Sequence, residues 1–109
     1  MFVFTQSEHW QTLKQGIIKL AHQQILPRFE QITAERKADG SLLTEADTEM
    51  QNATQAFLKQ HWPQFDFLGE ESSEKAQQSA LKSPQGCWVL DPVDGTSNFA
   101  SGIPFFSVS

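Results

Sequence analysis

The sequence predicts an α/β chain, on three observations. Apolar residues recur at helical spacing through much of the first sixty positions. Two short runs of strand formers follow, at residues 65–69 and 87–90. Acidic residues stand where each of those runs gives out, Glu70 and Glu71 after the first and Asp91 and Asp94 after the second.

In chain order, Trp10, Leu13, Ile17, Leu20, Ala21, Ile25 and Phe29 mark one face of a long helix over residues 7–29, ending near Pro27 or a turn later. Residues 36–43, with Asp39-Gly40 at their centre, read as a β-hairpin. Thr44-Glu45-Ala46-Asp47 opens a second helix, with Ala46, Met50, Ala53 and Phe57 at its period and an end before Trp62-Pro63. Thr44 is its expected N-cap, which puts Asp47 at the far half of a capping box. Residues 73–85 are polar and read as a surface connection with one helical turn.

The densest chemistry lies in Trp88-Val89-Leu90-Asp91-Pro92-Val93-Asp94-Gly95-Thr96-Ser97-Asn98-Phe99. Asp91 falls at the strand's exit. Pro92 has no N–H for a ladder, so pairing is expected to stop there and leave the Val93 carbonyl free for a ligand. Asp94-Gly95 is a turn dipeptide, and Thr96, Ser97 and Asn98 are good helix-start residues whose N–H groups attract anions. Two carboxylates about 4 Å apart repel by about 4 kcal/mol at an effective dielectric near 20, unless a cation lies between them. Such hard oxygen donors select Mg²⁺, Mn²⁺ or Ca²⁺. The plainer alternative is that Asp91 and Asp94 only cap a turn.

Glu70 and Glu71 have the same two readings, a second set of acids converging on one crevice or a solvated turn. Asp47 is either a capping residue or a carboxylate placed to orient a water molecule. A simple Ca²⁺ site fits less well, because no run has the spacing of an EF-hand loop.

Composition removes other classes. A chain of 109 residues, 39% hydrophobic and 19% charged, is ordinary for a single soluble domain. A net charge of −5 argues against nucleic acid and anionic membrane as partners. No apolar run reaches bilayer length, and Met1-Phe2-Val3-Phe4 is too short for a signal peptide. A lone cysteine, Cys87, cannot form an internal disulfide, so the expected location is cytoplasmic. His9, His22 and His61 lack metal-ligand spacing and are expected to be structural or solvent-facing. Neither Ser72 nor Ser97 has a nearby histidine that would make it a nucleophile.

Three segments in order, Lys37-Ala38-Asp39-Gly40-Ser41-Leu42-Leu43-Thr44-Glu45-Ala46-Asp47, Gly69-Glu70-Glu71-Ser72 and Asp91 to Phe99, resemble the signatures of the inositol monophosphatase family. The resemblance runs from about Lys37 to Ser109. It implies a layered, alternating α/β sandwich, its first part being two helices packed on a mainly antiparallel sheet. It also implies a Mg²⁺-dependent, lithium-sensitive phosphomonoesterase that uses two or three ions, with Mn²⁺ as a substitute. Glu70, Asp91 and the Val93 carbonyl would hold one ion, and Asp91 and Asp94 a second. Asp47 and Thr96 would position the attacking water, Gly95, Thr96 and Glu70 would meet the substrate phosphate, and Lys37 would lie on a mobile loop. The implied partners are a small phosphorylated metabolite and a second copy in a homodimer. Because the resemblance stops at Ser109 without a distal metal-binding aspartate, residues 1–109 are expected to be the N-terminal portion of one domain, its C-terminal half absent. The alternative function is a non-catalytic truncated homologue that serves as an interaction or dimerisation module.

Overall fold

The computed structural model describes residues 7–35, 40–69 and 73–109. Their elements run α1 (Ser7–Gln24), α2 (Leu26–Glu35), α3 (Gly40–His61), β1 (Asp66–Leu68), α4 (Glu74–Leu81), β2 (Cys87–Val89) and α5 (Thr96–Ala100).

The expected first helix is two helices. Pro27 has no N–H and its ring crowds the carbonyl four residues back, so the helix breaks at Ile25. The break is one residue wide: Ile25 N–H still donates to the Ala21 carbonyl at 2.9 Å, and Phe29 N–H to the Ile25 carbonyl at 3.0 Å. The Arg28 guanidinium donates to the Gln24 carbonyl at 2.6 Å, so the side chain serves an acceptor at the interruption.

The expected hairpin over residues 36–43 is corrected where it is described. Residues 36–39 lie outside the described part, and Gly40 to Leu43 form the first turn of α3. The cause is burial. Leu42, Ala46, Met50, Thr54 and Leu58 are buried at four-residue intervals, one continuous stripe, and Leu42 extends it by a turn. Thr44 is therefore not the N-cap. Its hydroxyl donates back to the Gly40 carbonyl at 2.9 Å, and Asp47 sits inside the helix instead of at its third position.

The sheet is corrected too. β1 and β2 pair in parallel, with Asp66 opposite Cys87, Phe67 opposite Trp88 and Leu68 opposite Val89, where a mainly antiparallel sheet was expected. The reason is the connection. α4 carries the chain back before β2 begins, as parallel pairing requires, and a tight hairpin cannot. Ser73 starts α4 by accepting the Ala76 N–H on its hydroxyl at 3.1 Å, which stabilises two turns where one was expected.

The core joins the helices to the segment after β2. Ile25, Ile32, Leu42, Ala46, Met50, Val93 and Phe99 form one buried cluster. Phe99 contributes most volume and meets Phe29 and Phe106, with ring centroids 5.6 and 5.1 Å away. A second aromatic group ties α1, α3 and the strands together. Trp62 is buried, packs on Trp88 and His61, and donates its indole N–H to His9 Nδ1 at 3.2 Å. His9 and His61 are thus structural. Trp10, Ile18 and Val89 stay exposed and border a trough of about 360 Å³ between α1 and β2, with the buried Thr54 hydroxyl also on its lining.

Truncating a fully buried aromatic costs about 3–5 kcal/mol and a half-exposed aliphatic far less. Phe99→Ala should leave the chain largely unfolded by circular dichroism at 25 °C, whereas Ile18→Ala should shift the melting temperature by only a few degrees.

Candidate functional site

The acidic segment is built by an antiparallel strip lying on the far side of the chain from β1. Asp91 N–H donates to the Ser109 carbonyl at 2.7 Å and Ser109 N–H returns to Asp91 at 3.0 Å. Asp94 and Ser107 exchange the same pair of bonds at 2.7 and 2.9 Å. Between these pairs stand Pro92 and Val93 on one side and Val108 alone on the other. Two residues against one is the arithmetic of a β-bulge.

That bulge decides where the carboxylates go. Residues directly opposite in an antiparallel pair send their side chains to the same face, and residues two apart on one strand share a face. Ser107 and Ser109 share a face, so Asp94 and Asp91 share it as well, although three positions apart. Without the extra residue, strict alternation would separate them. Pro92 and Val93 are buried, Asp91 is half-buried and Asp94 is exposed, which is the two-sided pattern this placement requires. The expectation that pairing ends at Pro92 holds toward β1, where the ladder closes with Leu90 N–H on the Leu68 carbonyl at 3.0 Å. On the other side it is corrected: pairing resumes at Asp94, because the bulge steps over the missing proline donor. The Val93 carbonyl accepts none of the described backbone hydrogen bonds.

Gly95 then turns the chain into α5. It has φ of 95°, a left-handed conformation that side chains rarely adopt, and it caps α5 without a side-chain hydrogen bond. A Cβ there would lie 3.0 Å from the Phe105 carbonyl oxygen and 3.2 Å from the Phe106 Cα. Glycine is needed twice over, for its dihedral and for the close approach of the next strand. Thr96 opens α5 and is exposed, as expected of a helix start.

Asp47 lies on α3. Its neighbours Ala46 and Met50 are fully buried in the cluster that holds Val93 and Phe99, so the half-buried Asp47 stands on the helix that backs the acidic turn. Lys37, Glu70 and Glu71 lie outside the described residues.

The donors present suit a hard divalent cation: two carboxylates on one face and an uncommitted carbonyl, all oxygen. Among the described residues no group of three or more His, Cys, Asp or Glu that could hold a metal ion comes together. Among them, too, no helix is long and apolar enough to cross a membrane.

Helices layered on a parallel strand pair, with acids at a bulged strand exit, define an α/β protein. The chain belongs to the inositol monophosphatase family: the family's model matches residues 6–109, which takes in α1 and α2 although they carry no signature. This is a family of phosphatases, and so of hydrolases. Inositol monophosphatase 1 of Sus scrofa is 34% identical over 74 residues, covering 68% of this chain and 26% of the relative. Inositol monophosphatase 1 of Solanum lycopersicum is 40% identical over 73 residues, 67% of this chain and 26% of the relative. The solved structure of extragenic suppressor protein suhB from Bartonella henselae superposes with a TM-score of 0.70 at 26% identity, over 94% of this chain and 37% of that one. The chain thus spans about a quarter of the length of the curated relatives it matches.

Sequence reasoning passed over Ser107 and Ser109, whose backbone groups pair with Asp94 and Asp91, and read Asn98 only as a helix-start residue. Pro92 was the available signal, since a proline inside a paired strip points to a bulge.

Dihedral strain and crowding can be separated at two glycines. Gly86 also has positive φ, 108°, but its nearest neighbour to an added Cβ is 3.9 Å away. Both alanine variants should lower stability by about 1–2 kcal/mol for the left-handed backbone, and Gly95→Ala should lose more than Gly86→Ala in urea denaturation.

Proposed function

We propose that this chain carries metal- and phosphate-binding residues of a Mg²⁺-dependent phosphomonoesterase acting on a small phosphorylated metabolite, an inositol monophosphate or a related ester. The observation that carries the reading is the bulge that puts Asp91 and Asp94 on one face. Two like charges held together by backbone hydrogen bonds repel unless a cation joins them, and a phosphate ester cannot approach bare carboxylates.

In this reading Asp91, Asp94 and the Val93 carbonyl hold Mg²⁺, or Mn²⁺ in its place, with Glu70 as a further acid and two or three ions in all. When bound, the cations supply charge neutralisation for the ester oxygens and a lowered pKa for water. The chain's own residues supply position. Asp47 and Thr96 orient the attacking water, the Gly95 and Thr96 N–H groups meet phosphate oxygens, and the resemblance assigns Lys37 to a loop that serves the site. The family resemblance supports these roles, and it extends to a homodimer in the cytoplasm.

A second reading rests on a different observation. Trp10, Ile18 and Val89 expose apolar surface along the trough beside β2, whose outer edge carries the backbone groups of Cys87 and Val89 that do not face β1. A non-catalytic module that pairs with another chain would use such an edge. Titration calorimetry with Mn²⁺ beside a light-scattering mass separates the readings: a stable dimer with no metal heat supports the module, and metal heat supports the phosphatase.

Titration calorimetry of the 109-residue chain with Mn²⁺ should give a saturable heat that Asp94→Asn removes. In a protein of the relatives' full length that contains this segment, phosphate release from inositol 1-phosphate should require Mg²⁺ and be abolished by the same substitution. Equal release in EDTA would overturn the proposal.

A further inference from the structure

We infer that Asn98 is a positioning residue for the acidic turn, acting through the backbone of Phe105; the inference rests on the phosphatase reading for its consequence, though not for its geometry. The Asn98 side-chain amide donates to the Phe105 carbonyl at 3.0 Å. The Asn98 backbone carbonyl accepts the Ile103 N–H at 2.8 Å. One residue of α5 therefore grips the returning loop at two points.

What the loop does explains why the grip matters. The Phe105 carbonyl oxygen is the atom closest to where a Gly95 Cβ would lie, at 3.0 Å, and the Phe106 Cα follows at 3.2 Å. The Phe105-Phe106 peptide is the wall against which the Gly95 turn rests. Ser107, the next residue, exchanges both backbone hydrogen bonds with Asp94. Asp94, Gly95, Asn98, Phe105, Phe106 and Ser107 thus close a ring, and they line one hollow of about 410 Å³. Asn98 is the side chain that bridges this ring. Without it the Phe105 carbonyl loses its side-chain donor, and the strip that aligns Asp94 with Asp91 is held by its backbone pairs alone.

The amide is specific to the task. Alanine removes the donor, and aspartate presents a carboxylate to a carbonyl oxygen while adding negative charge beside Asp94. The variants should therefore rank, with Asn98→Asp the worse.

Amide hydrogen exchange on the ¹⁵N-labelled 109-residue chain reads the brace directly, with Asn52→Ala on the exposed face of α3 as control. Asn98→Ala should speed exchange at Asp94 and Ser107 by about fivefold, the equivalent of one neutral hydrogen bond, and Asn98→Asp by more. Met50 and Leu58 in the core should keep wild-type rates. Mn²⁺ affinity by calorimetry should fall by a similar factor in Asn98→Ala and be unchanged in Asn52→Ala. Unchanged exchange at Asp94 and Ser107 overturns the brace, as does acceleration spread evenly through α3, which would mark general loosening. Wild-type Mn²⁺ affinity in Asn98→Ala overturns its bearing on the site. A wild-type chain that takes up no Mn²⁺ overturns the metal reading by itself, and the exchange pattern still decides the brace.

Discussion

The acidic turn exists because Val93 and Phe99, on either side of it, are pinned in the helical core. Both are almost fully buried against residues of α2 and α3, and the stretch between them has to cross from one anchor to the other at the surface. Asp94, Gly95 and Thr96 lie on that crossing. Hydrophobic burial thus supplies the fixed points, and hydrogen bonds to Ser107 and Ser109 set the orientation between them. The division is physically sensible, since apolar contact is strong but undirected, and backbone pairing is weaker in net terms but geometrically exacting.

The same logic explains why a strand exit hosts the site. Parallel pairing of β1 and β2 ends where Leu90 is buried, and the chain then changes partners from β1 to the returning strip. A change of partner needs an irregularity, which Pro92 supplies by withholding a donor. The bulge that results turns a three-residue spacing into a same-face pair. Two carboxylates on one face repel when they stand close, and a cation between them would remove that cost.

Much of this was legible in the residues. The strands, the amphipathic second helix and the acids at strand ends follow from periodicity and turn chemistry, and the ordered motifs pointed to the family. Two of the failures share one cause, long-range burial overriding local preference. Asp39-Gly40 looks like a hairpin corner, yet Leu42 completes a buried stripe and draws Gly40 to Leu43 into α3. Thr44 looks like a cap, yet the helix had already started. Parallel pairing could not be read from strands three residues long, because direction depends on the route taken by the connection. Ser107, Ser109 and Asn98 act through partners that only folding brings near, and nothing in their own neighbourhood announces them.

The central claim is that Asp91 and Asp94 face one cation-binding surface. Paramagnetic broadening tests it most directly: Mn²⁺ added in small steps to the ¹⁵N-labelled chain should first erase the amide signals of Asp91 and of residues 93–96, with the exposed α4 signals persisting. Broadening that begins on α4, or that spreads over all exposed carboxylates alike, would contradict the account.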